Sequence, residues 1–453
     1  MPLAGALFAG VTGLDTNSTA ISVIGDNIAN SNTIGFKGRR VEFADILGQS
    51  IAAIGGFSQT GAGARTARIS QQFSQGTFES TNRATDLAIE GRGFFVLNGA
   101  EGTFYSRAGI FDIDNQGFLV NPQGLRLQGF GVDPATGQSN GQIGDIQLVT
   151  TLSPPRSTTT MDLSVNLDAS PASPPAVGTL FDPANVNATT QHRVVMTLFD
   201  SLGNPHAATV YFNKLSEAGS PPVHRWQFTV ATPPSETTIP PGAGDEVVIQ
   251  QNPAGGAAQG VLQFDANGVL QQVEYPSGTV LTANPTIRFQ FSGGAAPDQD
   301  VTLNFGPPLG QGDATTQFAA DTSTTNAFSQ DGFGPGTIQR VSIDDDGFLT
   351  VQFSNGETQN LAQIALASFP NVQGLLATGN NNFVESRDSG QALIGEPGSG
   401  GFGSIRASNL EQSNVDLATE FVKLIINQRA FQANTRTISV TNELLANLVA
   451  LGQ

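Results

Sequence analysis

Apolar positions at the two ends of this chain recur every seven residues, whereas those between recur every second residue. Leu7, Leu14, Ile21 and Ile28 form the first series, with Ala4 and Val11 at companion spacing. Leu410, Leu417, Leu424, Phe431, Ile438 and Leu445 form the second, supported by Phe421 and Val449. A repeat of seven keeps one apolar seam along a helix, and that seam asks for a partner helix. Between the ends, Trp226, Phe228 and Val230 share one strand face. So do Ile287, Phe289 and Phe291, and Val301, Leu303 and Phe305. Period-two alternation between turn-rich gaps predicts antiparallel strands in a sandwich or barrel. Phe94 to Leu97 is a continuous apolar run suited to a buried strand.

Three turn sequences repeat: Asp112 to Gly117, Asp265 to Gly268 and Asp344 to Gly347, each flanked by apolar strand residues. Asp and Asn bond their own backbone and Gly supplies positive φ, so these read as hairpin turns. The first also matches the opening positions of a calcium loop, but Gln123 stands where a bidentate Glu is required. Ser413 with Asp416 resembles a capping box, and Gly452 can end the last helix. A helix from Asn414 to Leu451 would be a rod of roughly 55 Å. Glycines 5, 10, 13 and 25 weaken the first helix. Both terminal segments are therefore expected to become helical only when packed in an assembly.

The fold class implied is mainly β with α-helical termini: discontinuous β domains nested between N- and C-terminal helices of coiled-coil type. Proline divides the chain, since 20 of 25 lie between Pro154 and Pro335. The expected plan has terminal helices at 1–30 and 409–453, and connectors at 31–70 and 401–408. A split inner β domain covers 71–152 and 327–400, and an inserted outer β domain covers 153–326.

Charge and chemistry narrow the function. Acids exceed bases 38 to 20, for a formal net charge of −18. That balance argues against nucleic-acid binding and against docking on anionic lipid. No cysteine is present, so disulfides and thiolate chemistry are excluded. No run is long and apolar enough to span a bilayer, and the apolar N-terminus lacks a basic start, its first basic residue being Lys37. His192, His206 and His224 lack zinc-ligand spacing and read as surface residues. Gly91-Arg92-Gly93 has no phosphate-loop Lys. No catalytic residue, cofactor or metal site is expected, and the chain is not expected to be an enzyme.

The segment Asp26-Asn27-Ile28-Ala29-Asn30-Ser31-Asn32-Thr33-Ile34-Gly35-Phe36-Lys37 resembles the N-terminal signature of bacterial flagellar rod and hook axial proteins. Within it, Asn27, Ala29, Asn30, Asn32, Thr33, Gly35, Phe36 and Lys37 carry the match. Glu411 to Leu417, Glu420-Phe421 and Gln428 to Asn434 resemble the closing helix of that family, and Asp86 to Phe95 resembles its internal strand. The length and the β insertion fit the hook branch better than the shorter rod proteins.

The resemblance implies a subunit exported without signal cleavage and polymerised helically into a curved, flexible tube that passes torque from rod to filament. It would lie at the basal body and hook, outside the cell. Its partners would be copies of itself, the rod, the hook cap, the hook-filament junction proteins and the type III export apparatus, with no membrane insertion. The expected assembly core is Leu7, Val11, Leu14, Ile21, Ile28, Leu417, Phe421, Leu424, Phe431, Ile438 and Leu445. A rod protein and, from another class, a secreted adhesin or glycan-binding protein are the alternatives. Lys37, Arg39 and Arg40 form the first basic cluster, either between subunits or in a solvated connector.

Overall fold

The computed structural model describes all residues except 1, 54–55, 134–135, 149–151, 172–175, 217–223, 252–255, 275–283, 294–295, 297, 307–314, 320–321 and 452–453; side chains of 2–4, 48–60 and 448–451 are also left aside. The predicted cap at Gly452 lies outside the described residues. Two compact units form. One comprises Met1–Thr150, Gln339–Gln352 and Thr358–Gln453; the other comprises Thr151–Ile338 and Phe353–Glu357. The sequence boundary at 326 falls inside the strand Thr324–Gln330, which pairs with Thr160–Asn166 of the second unit.

The first unit carries both long helices, Pro2–Ala29 and Leu417–Leu451. The second helix begins later than the residue 409 expected. Asn409–Glu411 is a strand paired with Phe78–Ser80, because backbone pairing claims it before helical spacing can. The cap is Asp416, whose Oδ1 accepts from the Thr419 N–H at 2.6 Å, while Ser413 instead accepts from Val415. The two helices pack against each other within one chain.

The segments expected as connectors are β structure. Arg39–Ala53 and Gly56–Gln71 form a long antiparallel hairpin, in register from Arg39 opposite Gln71 to Ala53 opposite Gly56. Three register shifts interrupt it, which is why its residues show no clean alternation. Ser404–Ala407 pairs with Leu87–Glu90.

The sheet of this unit is built around Phe94–Gly99. That strand pairs with Gly102–Ser106, Leu366–Ser368 and Arg126–Val132, and the last of these continues to Thr358–Ile364. Phe94, Val96, Tyr105, Phe130, Phe369 and Phe383 pack on one side as its core. Edge-to-face contacts fix them, such as Tyr105 on Phe369 at 4.8 Å between centroids.

The second unit is a two-sheet sandwich. His192–Phe199, Pro205–Lys214, His224–Thr232, Gln259–Phe264 and Leu270–Glu274 run antiparallel in one sheet. The other orders Thr286–Phe289, Gln299–Asn304, Thr160–Asn166 and Thr324–Gln330, and one pair in it is parallel, with Thr160 opposite Thr302. Trp226, Phe228 and Val230 of the first sheet meet Ile287, Phe289, Val301, Leu303 and Phe305 of the second in one buried cluster.

The repeated turns form as read. Asp114 Oδ1 accepts from Gln116 and Phe118, Asp265 Oδ1 from Asn267 and Val269, and Asp344 Oδ1 from Phe348. Asn121 and Asp200 build two more of the same kind, before Gly124 and Gly203, which the sequence reading did not single out.

The histidines depart from the surface reading. His206 is buried, its ring stacked 4.1 Å from Phe291, with Nδ1 2.6 Å from Glu236 and Nε2 3.1 Å from Asp200. Two carboxylates make burial of a polar ring tolerable. His192 and His224 are half-buried.

Candidate functional site: the junction of the chain ends and the helix pair

Three sequence motifs that lie far apart in the chain converge at one place in the first unit. The N-terminal helix ends at Ala29, where Asn30 N–H bonds back to Asp26 and Asn27 carbonyls and Asn30 Nδ2 to the Asp26 carbonyl. Thr33 Oγ1 donates to Asn30 Oδ1. The following turn needs Gly35, whose φ is +69°; a Cβ there would stand 2.5 Å from the Ala108 amide nitrogen. The turn is pinned on both sides, by Asn381 Nδ2 donating to the Ile34 carbonyl and by Gly35 N–H donating to the Glu411 carbonyl at 2.7 Å.

Phe36 and Lys37 then enter the interior. Lys37 is 1 % exposed, which excludes a solvated connector for this residue. Its Nζ lies 2.6 Å from Glu411 Oε1 and donates to the Ser74 carbonyl at 2.8 Å. Glu411 is fully buried, and its Oε1 also accepts from the Gly76 N–H. Its Oε2 faces Arg107 Nη1 at 3.4 Å. Arg107 donates further to the carbonyls of Ile89 and Gly91, within the internal Asp86-to-Phe95 motif, and lies over the Phe94 ring. Burial pulls the Lys37 ammonium and the Arg107 guanidinium below their usual ranges, and the Glu411 carboxylate partly restores both. The signature, the internal strand and the closing segment therefore meet at one buried carboxylate.

A second polar tie joins the two helices to the base of the hairpin. Asn27, also buried, donates to Glu420 Oε2 at 3.1 Å and to the Arg39 carbonyl, while its Oδ1 accepts from Arg39 N–H. Asn414 Oδ1 accepts from Gly38 N–H, and its Nδ2 reaches Gln72 and Ser74. Of the remaining signature residues, Ala29 and Asn32 are exposed.

The helices pack antiparallel, but not along the predicted heptad. On the first helix the covered positions are Gly10, Thr16, Ala20, Ile24 and Asn27; on the second they are Glu420 and Thr441. Glycine permits the close approach: a Cβ on Gly10 would lie 2.9 Å from Ile438 Cγ1, and one on Gly13 2.6 Å from Asn434 Nδ2. Leu7, Leu14, Ile21 and Ile28 are half-buried, and Val11 is 49 % exposed. Leu424 and Ile438 are half-buried, whereas Leu417, Phe421, Phe431 and Leu445 are exposed. The second helix also exposes Val422, Ile425, Ile426, Val440 and Leu444, which the seven-residue spacing missed. Exposed apolar side chains thus emerge on several sides of this helix, interleaved with polar ones such as Lys423, Gln428, Arg429 and Arg436, so no single face holds all of its apolar surface. The hairpin adds exposed Phe43, Leu47 and Ile69. Among the described residues, no cluster of His, Asp or Glu could hold a metal, and no helix is long and apolar enough to cross a membrane.

Comparisons with known proteins agree in assignment along the chain. Residues 7–37 match the family described as flagella basal body rod protein, and 88–168 match the flagellar hook protein FlgE/F/G D1 domain. Residues 166–333 match the flagellar basal body protein FlaE D2 domain, and 406–451 the flagellar basal body rod FlgEFG protein C-terminal region. The flagellar hook protein FlgE of Borreliella burgdorferi is 36% identical, covering 98% of this chain and 99% of its own. That of Escherichia coli is 34% identical over 97% of this chain and 98% of its own. The crystal structure of Helicobacter pylori flagellar hook protein FlgE2 superposes with a TM-score of 0.50 at 14% identity, covering 74% of this chain and 100% of that one, a likeness of fold.

Proposed function

This chain belongs to the flagellar hook protein FlgE family and is a structural subunit of the flagellar hook; we propose that it builds the hook by enclosing its two terminal helices among those of neighbouring copies. The observation that carries this reading is the apolar surface left uncovered on the helix pair after intramolecular packing. Val11, Leu417, Phe421, Phe431 and Leu445 stay exposed, together with Val422, Ile425 and Ile426. Taking such a side chain from full exposure to full burial is worth about 1.5–3 kcal/mol, and covering these partly exposed ones contributes roughly half of that each. Leu7, Leu14, Leu424 and Ile438, already half-buried, are completed by the same contacts, as are Ile21 and Ile28. Identical contacts repeated without ring closure generate a helical filament.

In this reading the β units lie outside a tube of helices, and the acidic insertion faces the surroundings. Hook bending requires the outer contacts between copies to slide, so those contacts are smaller and more polar than the helical ones. The partners proposed beyond further copies are the rod, the hook cap, the hook-filament junction proteins and the type III export apparatus. Export proceeds without signal cleavage to a position outside the cell, and the role is mechanical, with no enzymatic step.

Polymerisation of the purified full-length chain tests this. Phe421→Asp with Ile425→Asp leaves the emission of Trp226, the single tryptophan, unchanged while tube formation is lost. Truncation after Asn409 also abolishes tubes. Tubes of normal length from the double variant would remove the helix faces from the assembly core.

A further inference from the structure

Lys37 and Arg107 are two cations in the interior of the first unit, and among the described residues the one carboxylate that pairs with either is Glu411. Arg107 Nε is buried without a partner among those residues, and beyond Glu411 the two cations meet only the neutral carbonyls of Ser74, Ile89 and Gly91 there. Glu411 arrives late in the chain. Hydrogen bonds to it join positions 374, 335 and 304 residues apart, from Lys37, Gly76 and Arg107. Its own strand, Asn409–Glu411, closes against Phe78–Ser80, and Gly76 has no room for a side chain because the Gln412 carbonyl would meet its Cβ at 2.0 Å.

We propose that Glu411 is the positioning residue that lets the N-terminal signature be buried at all: the signature turn closes only when the C-terminal segment docks and supplies its carboxylate. A buried cation without a counter-charge is strongly unfavourable, whereas a cation opposite a well-bonded carboxylate is tolerated. Before docking, Lys37 and Arg107 must therefore keep contact with water, and the turn at Gly35, the Gly38 backbone and the base of the hairpin stay open. After docking, Glu411 neutralises the pair, Gly35 N–H acquires its acceptor, and Asn414 and Glu420 are brought to Gly38 and Asn27. The two helices are then set side by side. A chain with only one of its ends in place thus cannot present the helix pair, which makes this junction a check that both ends are present. The folding part of this inference stands by itself; its consequence for assembly rests on the hook-subunit reading.

Hydrogen exchange on the full chain tests it, read at the amides of Gly35, Gly38, Arg39 and Gly76, with Trp226 emission reporting the second unit separately. Glu411→Gln is expected to speed exchange at these amides by on the order of a hundred- to a thousandfold, with Trp226 emission unchanged and no tubes formed. Removing the cations must then rescue: Lys37→Met with Glu411→Gln restores part of the protection, and adding Arg107→Met restores more. Wild-type protection in Glu411→Gln would overturn the proposal. So would a Lys37→Met, Glu411→Gln variant no better protected than Glu411→Gln, because the carboxylate would then act through shape and not charge. Protected Glu411→Gln that forms no tubes would likewise remove the charge pairing as the check. Wild-type chain that is protected but never polymerises would sink the assembly reading and leave the folding inference intact.

Discussion

Asn27 on the first helix donates to Glu420 on the second at 3.1 Å, and the same Asn27 amide group both donates to and accepts from the Arg39 backbone. One buried side chain therefore sets the helix pair and the root of the hairpin together. Asn27→Ala leaves the Arg39 N–H and the Glu420 carboxylate without this partner, at a cost of about 1–3 kcal/mol. Asn27→Asp is worse, because a second carboxylate then faces Glu420. Denaturant unfolding followed by far-UV circular dichroism orders the three chains as wild type, Ala, Asp. An Asp variant as stable as wild type contradicts the geometry.

Gly35 has a positive φ and the Ala108 backbone against it. Gly35→Ala combines left-handed strain of about 1–2 kcal/mol with a backbone clash that no rotamer can relieve. Thermal unfolding of the first unit should shift down by several degrees, with the Trp226 transition of the second unit unmoved. Gly25, which has open space around its Cβ position, is the control, and Gly25→Ala should stabilise the helix by up to about 1 kcal/mol.

The helix pair depends on Gly13 facing Asn434. Gly13→Ala is accommodated by rotation of the Asn434 side chain. Gly13→Leu has no such escape and pushes the helices apart by a few ångströms. Spin labels at exposed Ser18 and Gln428 report the separation: unchanged for Ala, longer for Leu.

Acid sensitivity of the second unit should centre on Asp200. Burial alone would raise its carboxyl, but hydrogen bonds from Asn204, His206 and the Asn204 and Leu202 backbone outweigh that and hold it below the usual range. A lowered carboxylate stabilises fully above its unfolded pKa of about 3.9, and that contribution is lost as pH falls through the lower folded value. Asp200→Asn keeps the shape, loses the charge facing His206, and costs on the order of 1–3 kcal/mol at neutral pH. The stability gap from wild type, read by Trp226 emission, should close below about pH 4. A gap that persists or widens in acid would assign the stabilisation to packing.

What local spacing encodes was legible. The seven-residue repeats located both helices, and alternation located the strands that carry Trp226, Ile287 and Val301. The Asp-to-Gly spacing located three turns, because each depends on residues within a few positions of one another. The long hairpin was not legible, since its register shifts and small polar residues erase the period-two signal. Which face of each helix is covered was also not legible. Spacing finds a seam of large apolar residues, but Gly10 and Gly13 decide where two helices can approach most closely. That left the predicted seam half-covered and Phe421 facing out.

The sequence by itself determined the helical ends, the β-rich middle, the turns and the family signature, all set by interactions between near neighbours in the chain. Only the tertiary structure decided that Lys37 is buried and that Glu411 is its counter-charge. No periodicity links positions 374 residues apart; their pairing follows from the whole unit closing and from the cost of leaving a charge unpaired inside it.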